Sequence, residues 1–347
     1  GLPSPDTRAG RIAEGTIRWI VALLGAVVVF GAVIWAKGVS PIAAYQEMAA
    51  APFSSGSWVD ILIKSNPIIL AALAVAVPAR AGLTNVGGEG QLVLGGVAAA
   101  GVVRWLGEGT PSAVPLTLML VAAAIAGALW AGIAGLLREG LGINEAVTTL
   151  LLNYLAIGLM LYLIYDSWKD PLGSGQPASP QLPVSARLPL VGTSGLHMGF
   201  VIAVIATGVV WAVLRYTTWG FRLRVVGGNP EAARRAGYRG GALMRGAMLV
   251  GGALAGSGGF TQLAGAEFKL RPGFLLQYGY IAFLASWLAR HHPVRVALAS
   301  IVLAALTIAG DSLQIDSGLP AASVNILMAL VLLAVFGWTG KKKGAAA

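Results

Sequence analysis

The chain has 347 residues, of which 56% are hydrophobic and 11% are charged. Charged residues make up about a quarter of soluble globular domains, so this composition excludes an ordinary soluble protein. The net charge of +10 does not indicate nucleic-acid binding, because the basic residues lie in separate loops, as membrane topology requires. The absence of Cys excludes a disulfide framework and a Cys-ligated metal site.

Ten hydrophobic segments follow one another along the chain, and several exceed the roughly 18–20 residues that a membrane-spanning helix needs. Helices satisfy their backbone polar groups internally, as lipid demands. We therefore predict an all-α, polytopic transmembrane helical bundle with about ten spans. The segments cover residues 19–36, 62–79, 90–106, 114–137, 143–166, 198–218, 242–264, 274–289, 294–310 and 321–338.

The distribution of basic residues predicts the orientation of these segments. If all ten cross, both termini share one side with seventeen of the 24 basic residues. The positive-inside rule then places both termini in the cytoplasm. The expected organisation is a cytoplasmic segment 1–18, a transmembrane domain 19–338 and a cytoplasmic tail 339–347. Within the domain we expect halves at about 62–166 and 242–338, a cytoplasmic loop 219–241, and outer loops at 37–57, at 167–197 and around Asp311 and Asp316.

The central loop contains a sequence typical of a short capped helix. Asn229 precedes Pro230, a residue favoured at the first helical position, and Glu231 lies in the first turn. Gly237 is expected to end the helix at the C′ position. Charge alone indicates only a basic loop that obeys the positive-inside rule, whereas a capped surface helix also offers a contact for a soluble partner.

Residues 78–96 combine Pro78 and six glycines with Asn85, Glu89 and Gln91. A carboxylate at the centre of a membrane helix costs about 2.5–3.5 kcal/mol on insertion scales. Non-helical backbone at membrane depth is tolerated only where protein or a water-filled cavity covers it. Two interpretations remain open: a broken helix that lines a polar pathway, or a cytoplasmic turn with Glu89 in water.

The fifth hydrophobic segment carries a polar stripe. Glu145, Thr149 and Asn153 are spaced i, i+4, i+8 and so share one helix face, with Asn144 beside them. Such a stripe should face the bundle interior. It can line a pathway, or it can join helices through hydrogen bonds worth about 0.6 kcal/mol each.

A weak internal repeat relates the two halves. Residues 82–89 are echoed by residues 259–267, so Thr261 and Gln262 correspond to Thr84 and Asn85. The assigned topology runs the two copies in opposite directions, as in transporters built from inverted repeats. Phe274 and Tyr278 follow the second copy; they can stack on a planar base, or act as core residues and interfacial anchors.

Three of these stretches resemble one family. They are L-T-N-V-G-G-E-G-Q at 83–91, N-E-A-V-T-T-L-L-L-N-Y at 144–154 and G-G-N-P-E-A-A-R-R-A-G at 227–237. They are similar to motifs of the membrane permease subunits of ABC importers, in the branch that carries simple sugars and nucleosides. Thr84 stands where that family often has Phe.

The resemblance implies an inverted-repeat permease fold with broken helices and a pathway that works by alternating access. The pathway residues expected from it and from the polar patterns are Asn85, Glu89, Gln91, Asn144, Glu145, Thr149, Asn153, Thr261, Gln262, Phe274 and Tyr278. The residues expected to dock on a separate ATPase are Gly228, Asn229, Pro230, Glu231, Ala232, Ala233, Arg234, Arg235 and Gly237.

The resemblance also implies the partners. We expect an ABC ATPase subunit, a second permease chain (identical or different), an extracytoplasmic solute-binding protein and the lipid bilayer of a bacterial inner membrane, but no nucleic acid. The chain has no G-x-x-x-x-G-K-[ST] sequence, so ATP and Mg²⁺ are expected on the ATPase, with no cofactor, metal or enzymatic activity here.

A nucleoside is the first expected substrate and a simple sugar the second. The rival is a stand-alone, ion-coupled transporter that uses Glu89 or Glu145 as its coupling carboxylate.

Overall fold

The computed structural model describes residues 8–107, 111–173, 175–320 and 322–344. The predicted terminal segments 1–18 and 339–347 lie partly outside these ranges. The described backbone is predominantly α-helical, which confirms the predicted all-α class. Its helices are α1 Arg8–Ala36, α2 Pro41–Ala50, α3 Ser57–Ala79, α4 Gly88–Leu106, α5 Ala113–Leu141, α6 Glu145–Tyr165, α7 Gly199–Tyr216, α8 Thr218–Gly228, α9 Pro230–Arg235, α10 Gly240–Gln262, α11 Tyr278–Leu288, α12 Pro293–Asp316 and α13 Ser323–Gly344.

The described residues fall into two compact units. The smaller unit is formed by the described parts of Gly1–Trp58 and Ala305–Ala347, and the larger one is Val59–Ala304. In the smaller unit α1 packs against α13. Phe30 and Ile34 of α1 are almost completely buried there. All the candidate functional residues belong to the larger unit.

Two stretches that the sequence predicts as outer loops are partly helical in the smaller unit, while their side of the membrane stays a prediction. The stretch 37–57 contains α2 and a 3₁₀ turn at Ala51–Phe53. Ser40 caps α2 by accepting a hydrogen bond from the N–H of Ala43, and Pro41 occupies its first turn, so local capping overrides the loop expected from composition. Asp311 and Asp316 lie within α12, because the helix continues beyond its apolar stretch.

The core of the larger unit is built around α3. Residues 68–77 of this helix are each no more than 1% exposed. A helix that is hydrophobic on all sides is buried in a core, and residues 68–77 form such an uninterrupted apolar stretch within α3. Its neighbours therefore enclose it.

Glycines allow helices α5 and α10 of the larger unit to pack backbone against backbone. A Cβ placed on Gly256 of α10 would lie 2.0 Å from the carbonyl oxygen of Ala123 in α5. A Cβ on Gly127 of α5 would lie 2.2 Å from the carbonyl oxygen of Gly252 in α10. Small residues make such close contacts between membrane helices possible, and packing replaces the hydrophobic effect there.

Five described helices, α3, α5, α6, α7 and α12, are long and apolar enough to cross a membrane. A sixth is possible if Leu23–Ala36 and Pro41–Phe53, which are bent by 116°, form one broken span. Every predicted hydrophobic segment overlaps a helix, but α11 has only 11 residues, about 16 Å, against a hydrocarbon core of about 30 Å. The larger number of ten crossings stays a prediction.

Candidate substrate pathway and coupling helix

The predicted interruption in the glycine-rich stretch is present. Helix α3 ends at Ala79 and α4 begins at Gly88, and we call residues 80–87 between them the break. The N–H groups at positions 80–83 still donate to carbonyl oxygens at the end of α3, whereas those of Thr84 and Val86 need partners from elsewhere in the protein. The positions of the polar side chains follow from this need.

Two residues of the α6 stripe bind the break directly. Glu145 accepts the N–H of Thr84 at Oε1 (3.0 Å), and Thr149 accepts the N–H of Val86 at Oγ1 (3.1 Å). Glu145 also lies 3.4 Å from Nε of Arg138. The stripe therefore binds non-helical backbone, and its role in lining a pathway stays a prediction.

Asn153 binds the end of the break and the first turn of α4. Its Oδ1 accepts the N–H of Gly90 (2.8 Å), and its Nδ2 donates to the carbonyl oxygen of Val86 (3.0 Å) and lies 3.5 Å from the hydroxyl of Tyr280. Asn144 is different, because it is exposed and caps α6 by accepting the N–H groups of Ala146 and Val147. The structure thus places Asn144 outside the buried stripe.

Asn85 and Gln91 form a reciprocal amide pair. Nδ2 of Asn85 donates to Oε1 of Gln91 (3.1 Å), and Nε2 of Gln91 donates to Oδ1 of Asn85 (3.0 Å). Asn85 also donates to the carbonyl oxygen of Ala74 (3.1 Å) and accepts the N–H of Gly87 (2.9 Å). Both side chains are at most 1% exposed, so the pair fixes the break against α3.

Glu89 joins the start of α4 to the start of α11. Its Oε1 accepts the N–H of Gln277 (2.5 Å) and its Oε2 accepts the N–H of Gly279 (2.7 Å). The carboxylate therefore lies at the positive end of the α11 dipole, which favours a negative charge. Glu89 is 1% exposed, which excludes the interpretation that it lies in water.

The two helix starts touch at a glycine that the sequence did not single out. A Cβ on Gly279 would lie 2.1 Å from the backbone nitrogen of Glu89. Gln277, immediately before α11, has a left-handed backbone with φ of 71°. This conformation is uncommon for a residue other than glycine, and it aims the N–H of Gln277 at the carboxylate.

The candidate residues of the second half take no part in the hydrogen bonds described above for the break. Thr261 donates to Oδ1 of Asn66 (2.7 Å), and Oε1 of Gln262 is buried with no hydrogen-bond partner among the described residues. Phe274 is 2% exposed and packs beside Gly96, where a Cβ would lie 2.4 Å from its ring. The backbone also differs between the repeats: residues 259–262 are helical and continue into a π-helical turn at Leu263–Glu267.

The predicted capped helix is present as α9. Asn229 accepts the N–H of Ala232 (2.9 Å), and Gly237 has φ of 76°, as the C′ position requires. Glu231 pairs with Arg234 (3.0 Å) and Arg235 (3.1 Å). The two arginine side chains are 78% and 80% exposed, so α9 presents a basic surface. Residues 219–241 also contain most of α8, which the sequence analysis did not predict.

Helix α8, which precedes α9, contacts the break. A Cβ on Gly227 would lie 2.3 Å from the carbonyl oxygen of Arg80 and 2.9 Å from the backbone nitrogen of Gly82. Only Asn229 separates α8 from α9. The exposed helix α9 is therefore joined to the break through α8.

Comparison with known proteins identifies related sequences over most of the chain. Residues 57–336 match the family described as branched-chain amino acid transport system, permease component. The chain is 36% identical over 326 residues to a glucose ABC transporter permease protein of Haloferax volcanii, covering 90% of this chain and 85% of the relative. It is 33% identical over 277 residues to a guanosine ABC transporter permease protein of Bacillus subtilis, covering 78% of each. The matched family range includes every candidate residue named above.

Substituting Gly279 by alanine tests the contact between α4 and α11. The new Cβ would overlap the backbone of Glu89, and overpacking of this kind costs about 1–3 kcal/mol. We expect Gly279→Ala to lower the thermal unfolding midpoint of the purified chain in detergent. The control is Gly158→Ala on α6, where a Cβ meets nothing within 4 Å. Equal midpoints for the two variants would contradict the close contact.

Substituting Thr149 by valine tests its bond to the break. The change keeps the shape but leaves the N–H of Val86 without its acceptor, at a cost of about 1–3 kcal/mol. Thr207→Val is the matched control, because Thr207 is also buried but its hydroxyl donates only to Ala203 in its own helix. We expect a lower unfolding midpoint for Thr149→Val alone; an equal loss in both variants would count against the assigned role.

Proposed function

Since the chain belongs to the permease subunits of ABC importers, in the simple-sugar and nucleoside branch, we propose that it forms the membrane pathway for a nucleoside, driven by a separate ATPase subunit. The observation that carries this proposal is α9, a short capped helix whose two arginine side chains are about four-fifths exposed. A capped basic helix whose arginines pair with Glu231 of the same helix and still face outward suits a contact with another subunit.

We propose that the ATPase acts on the pathway through α8. Movement of α9 would shift Gly227, which contacts the backbone of Arg80 and Gly82 at the start of the break. The break in turn is tied to α6 by Thr149 and to α11 through the nearby Glu89. A displacement at the cytoplasmic surface would therefore reach several helices through one contact.

The break and the start of α4 would act as the gate of an alternating-access cycle. Asn85, Glu89 and Gln91 are all at most 1% exposed, so solute reaches them only after the surrounding helices move. Their hydrogen bonds hold the region in one arrangement. Exchange of these internal bonds for bonds to a polar solute would offset part of the free energy of opening.

The substrate is proposed to be a nucleoside because the motifs at residues 83–91 and 144–154 follow the nucleoside-permease pattern. A simple sugar is the second candidate, favoured by the relative named for glucose. The two classes share a ring that carries several hydroxyl groups, and uncharged amides such as those of Asn85 and Gln91 can recognise hydroxyls of either. A planar base adds a surface on which Tyr278 or Tyr280 could stack.

The ion-coupled alternative needs a carboxylate that binds and releases an ion. Glu89 accepts two backbone N–H groups, and Glu145 accepts one and lies beside Arg138. Both carboxylates are therefore already engaged by backbone N–H groups or a cation of this chain. Membership of the ABC permease family supports the ATP-driven interpretation instead.

The remaining partners are part of the proposal. We place the chain in a bacterial inner membrane with cytoplasmic termini, paired with a second permease. The loop 167–197 would receive the solute-binding protein. Its backbone is fixed to the segment after α10: the N–H groups of Leu182 and Leu188 donate to the carbonyl oxygens of Phe268 (2.7 Å) and Ala264 (2.8 Å). A loop held this way offers a stable docking surface.

Reversing one charge on α9 tests the coupling role. Arg234→Glu removes an exposed cation and places two carboxylates side by side, so we expect about tenfold weaker binding of the ATPase, or about 1.4 kcal/mol, with loss of ATP-driven uptake. Folding should be unchanged, because exposed ion pairs contribute little to stability. Arg104→Glu on the predicted outer side is the control, and normal uptake with Arg234→Glu would contradict docking through α9.

A transport assay distinguishes the two substrate classes. We expect proteoliposomes with the complete importer to take up radiolabelled nucleoside when ATP is inside, with no inhibition by a large excess of glucose. Glucose uptake without nucleoside uptake would support the sugar alternative. Uptake by this chain alone, driven by an ion gradient, would overturn the ABC mechanism.

A further inference from the structure

A basic pocket lies at the predicted cytoplasmic ends of several helices of the larger unit. Its volume is about 160 Å³, and the residues that line it include Arg80, Arg215, Arg224, His292, Trp211 and Leu214. Arg80 follows α3, Arg215 belongs to the last turn of α7, and Arg224 lies on α8. Three elements thus direct arginines to one place, and the residues around the pocket include neither Asp nor Glu.

The pocket has hydrogen-bond donors to spare. Arg80 uses Nη2 to donate to the carbonyl oxygen of His291 (2.9 Å), and Arg224 uses Nη1 to donate to the carbonyl oxygen of Leu214 (3.0 Å). Nε of Arg80 is a buried donor with no partner among the described residues. A guanidinium carries five N–H donors, so most of the donor capacity is uncommitted.

The electrostatics of the pocket favour an anion. Burial, and then the nearby charge of Arg224, lowers the pKa of Arg80. Burial, and then Arg80, lowers the pKa of the neighbouring His291 to about 4, so His291 is neutral at physiological pH. The second cause in each case is a neighbouring positive charge, and no carboxylate lines the pocket. An anion bound between these positive charges would remove the unfavourable repulsion.

The aromatic residues beside the pocket indicate its depth in the membrane. Trp211 and Tyr216 form an edge-to-face pair with ring centroids 5.4 Å apart and are 36% and 70% exposed. They lie at the end of α7, which is long and apolar enough to cross a membrane. Trp and Tyr concentrate at the level of the lipid headgroups, so the pocket opens where phosphate groups are abundant.

We propose that this pocket binds a phosphate group, and that the phosphate is the headgroup of an anionic phospholipid in the cytoplasmic leaflet. Planar guanidinium groups match phosphate oxygens in pairs, and basic pockets between helices on the cytoplasmic side are suited to such headgroups. Free inorganic phosphate shares this chemistry and is the alternative source. The inference does not depend on the transported substrate.

Native mass spectrometry of the purified full chain in detergent tests the proposal. We expect the wild type to bind phosphatidylglycerol in preference to phosphatidylcholine with the same acyl chains. Arg215→Gln and Arg224→Gln should each lower the affinity for phosphatidylglycerol about fivefold, as expected for about 1 kcal/mol per basic residue. Arg239→Gln is the control, because Arg239 is exposed in the same cytoplasmic region but does not line the pocket.

The outcomes separate the sources of phosphate. If the lipid preference is absent, or if Arg215→Gln and Arg224→Gln bind phosphatidylglycerol as tightly as Arg239→Gln, the site is overturned. If inorganic phosphate displaces the lipid from the wild type at equal concentration, the site is supported and the lipid source is overturned. Arg215 is exposed and has little part in the fold, so its variant remains informative if Arg224→Gln is unstable.

Discussion

The break between α3 and α4 imposes one requirement on much of the larger unit: backbone groups that leave a helix in the interior of the protein must be paired by other groups of the protein. The N–H groups of Thr84 and Val86 are paired by Glu145 and Thr149, and that of Gly90 by Asn153. The spacing of the polar stripe on α6 is thus matched to the backbone that it stabilises. Replacing the stripe by apolar residues would leave these backbone groups without partners, at a cost of about 1–3 kcal/mol for each group.

The same requirement explains where glycine is needed beside the stripe. A side chain can reach a backbone N–H only if its own helix comes close, and a Cβ on Gly90 would lie 3.0 Å from the Cα of Asn153. Glu89 can bind the start of α11 because Gly279 allows the two backbones to meet. Glycine and polar residues therefore alternate at the start of α4, because the glycines allow the helices to approach and the polar residues form the hydrogen bonds. This alternation lowers the hydropathy of α4.

Local features were predictable from the sequence, and distant contacts were not. The cap at Asn229 and the turn at Gly237 depend on neighbours within one helical turn, and both predictions are confirmed. The helical periodicity also predicted that Glu145, Thr149 and Asn153 share a face. It could not reveal that this face binds backbone more than 60 residues earlier, nor that Glu89 binds Gln277, because spacing holds no information about which helices become neighbours. For the same reason the Asn66–Thr261 bond was not anticipated.

Arg80 contributes both to the contact between α8 and the break and to the basic pocket. Its carbonyl oxygen is the backbone group nearest to Gly227 of α8, and its guanidinium binds His291 and lines the basic pocket. Any change in the position of α8 must therefore move Arg80 or open a gap at the start of the break. A phosphate bound between Arg80 and Arg224 would hold these elements together, because it would attract cations on both. The proposed lipid site and the proposed coupling path would then both act on Arg80. A bound lipid would in this way influence how readily the break moves relative to α8.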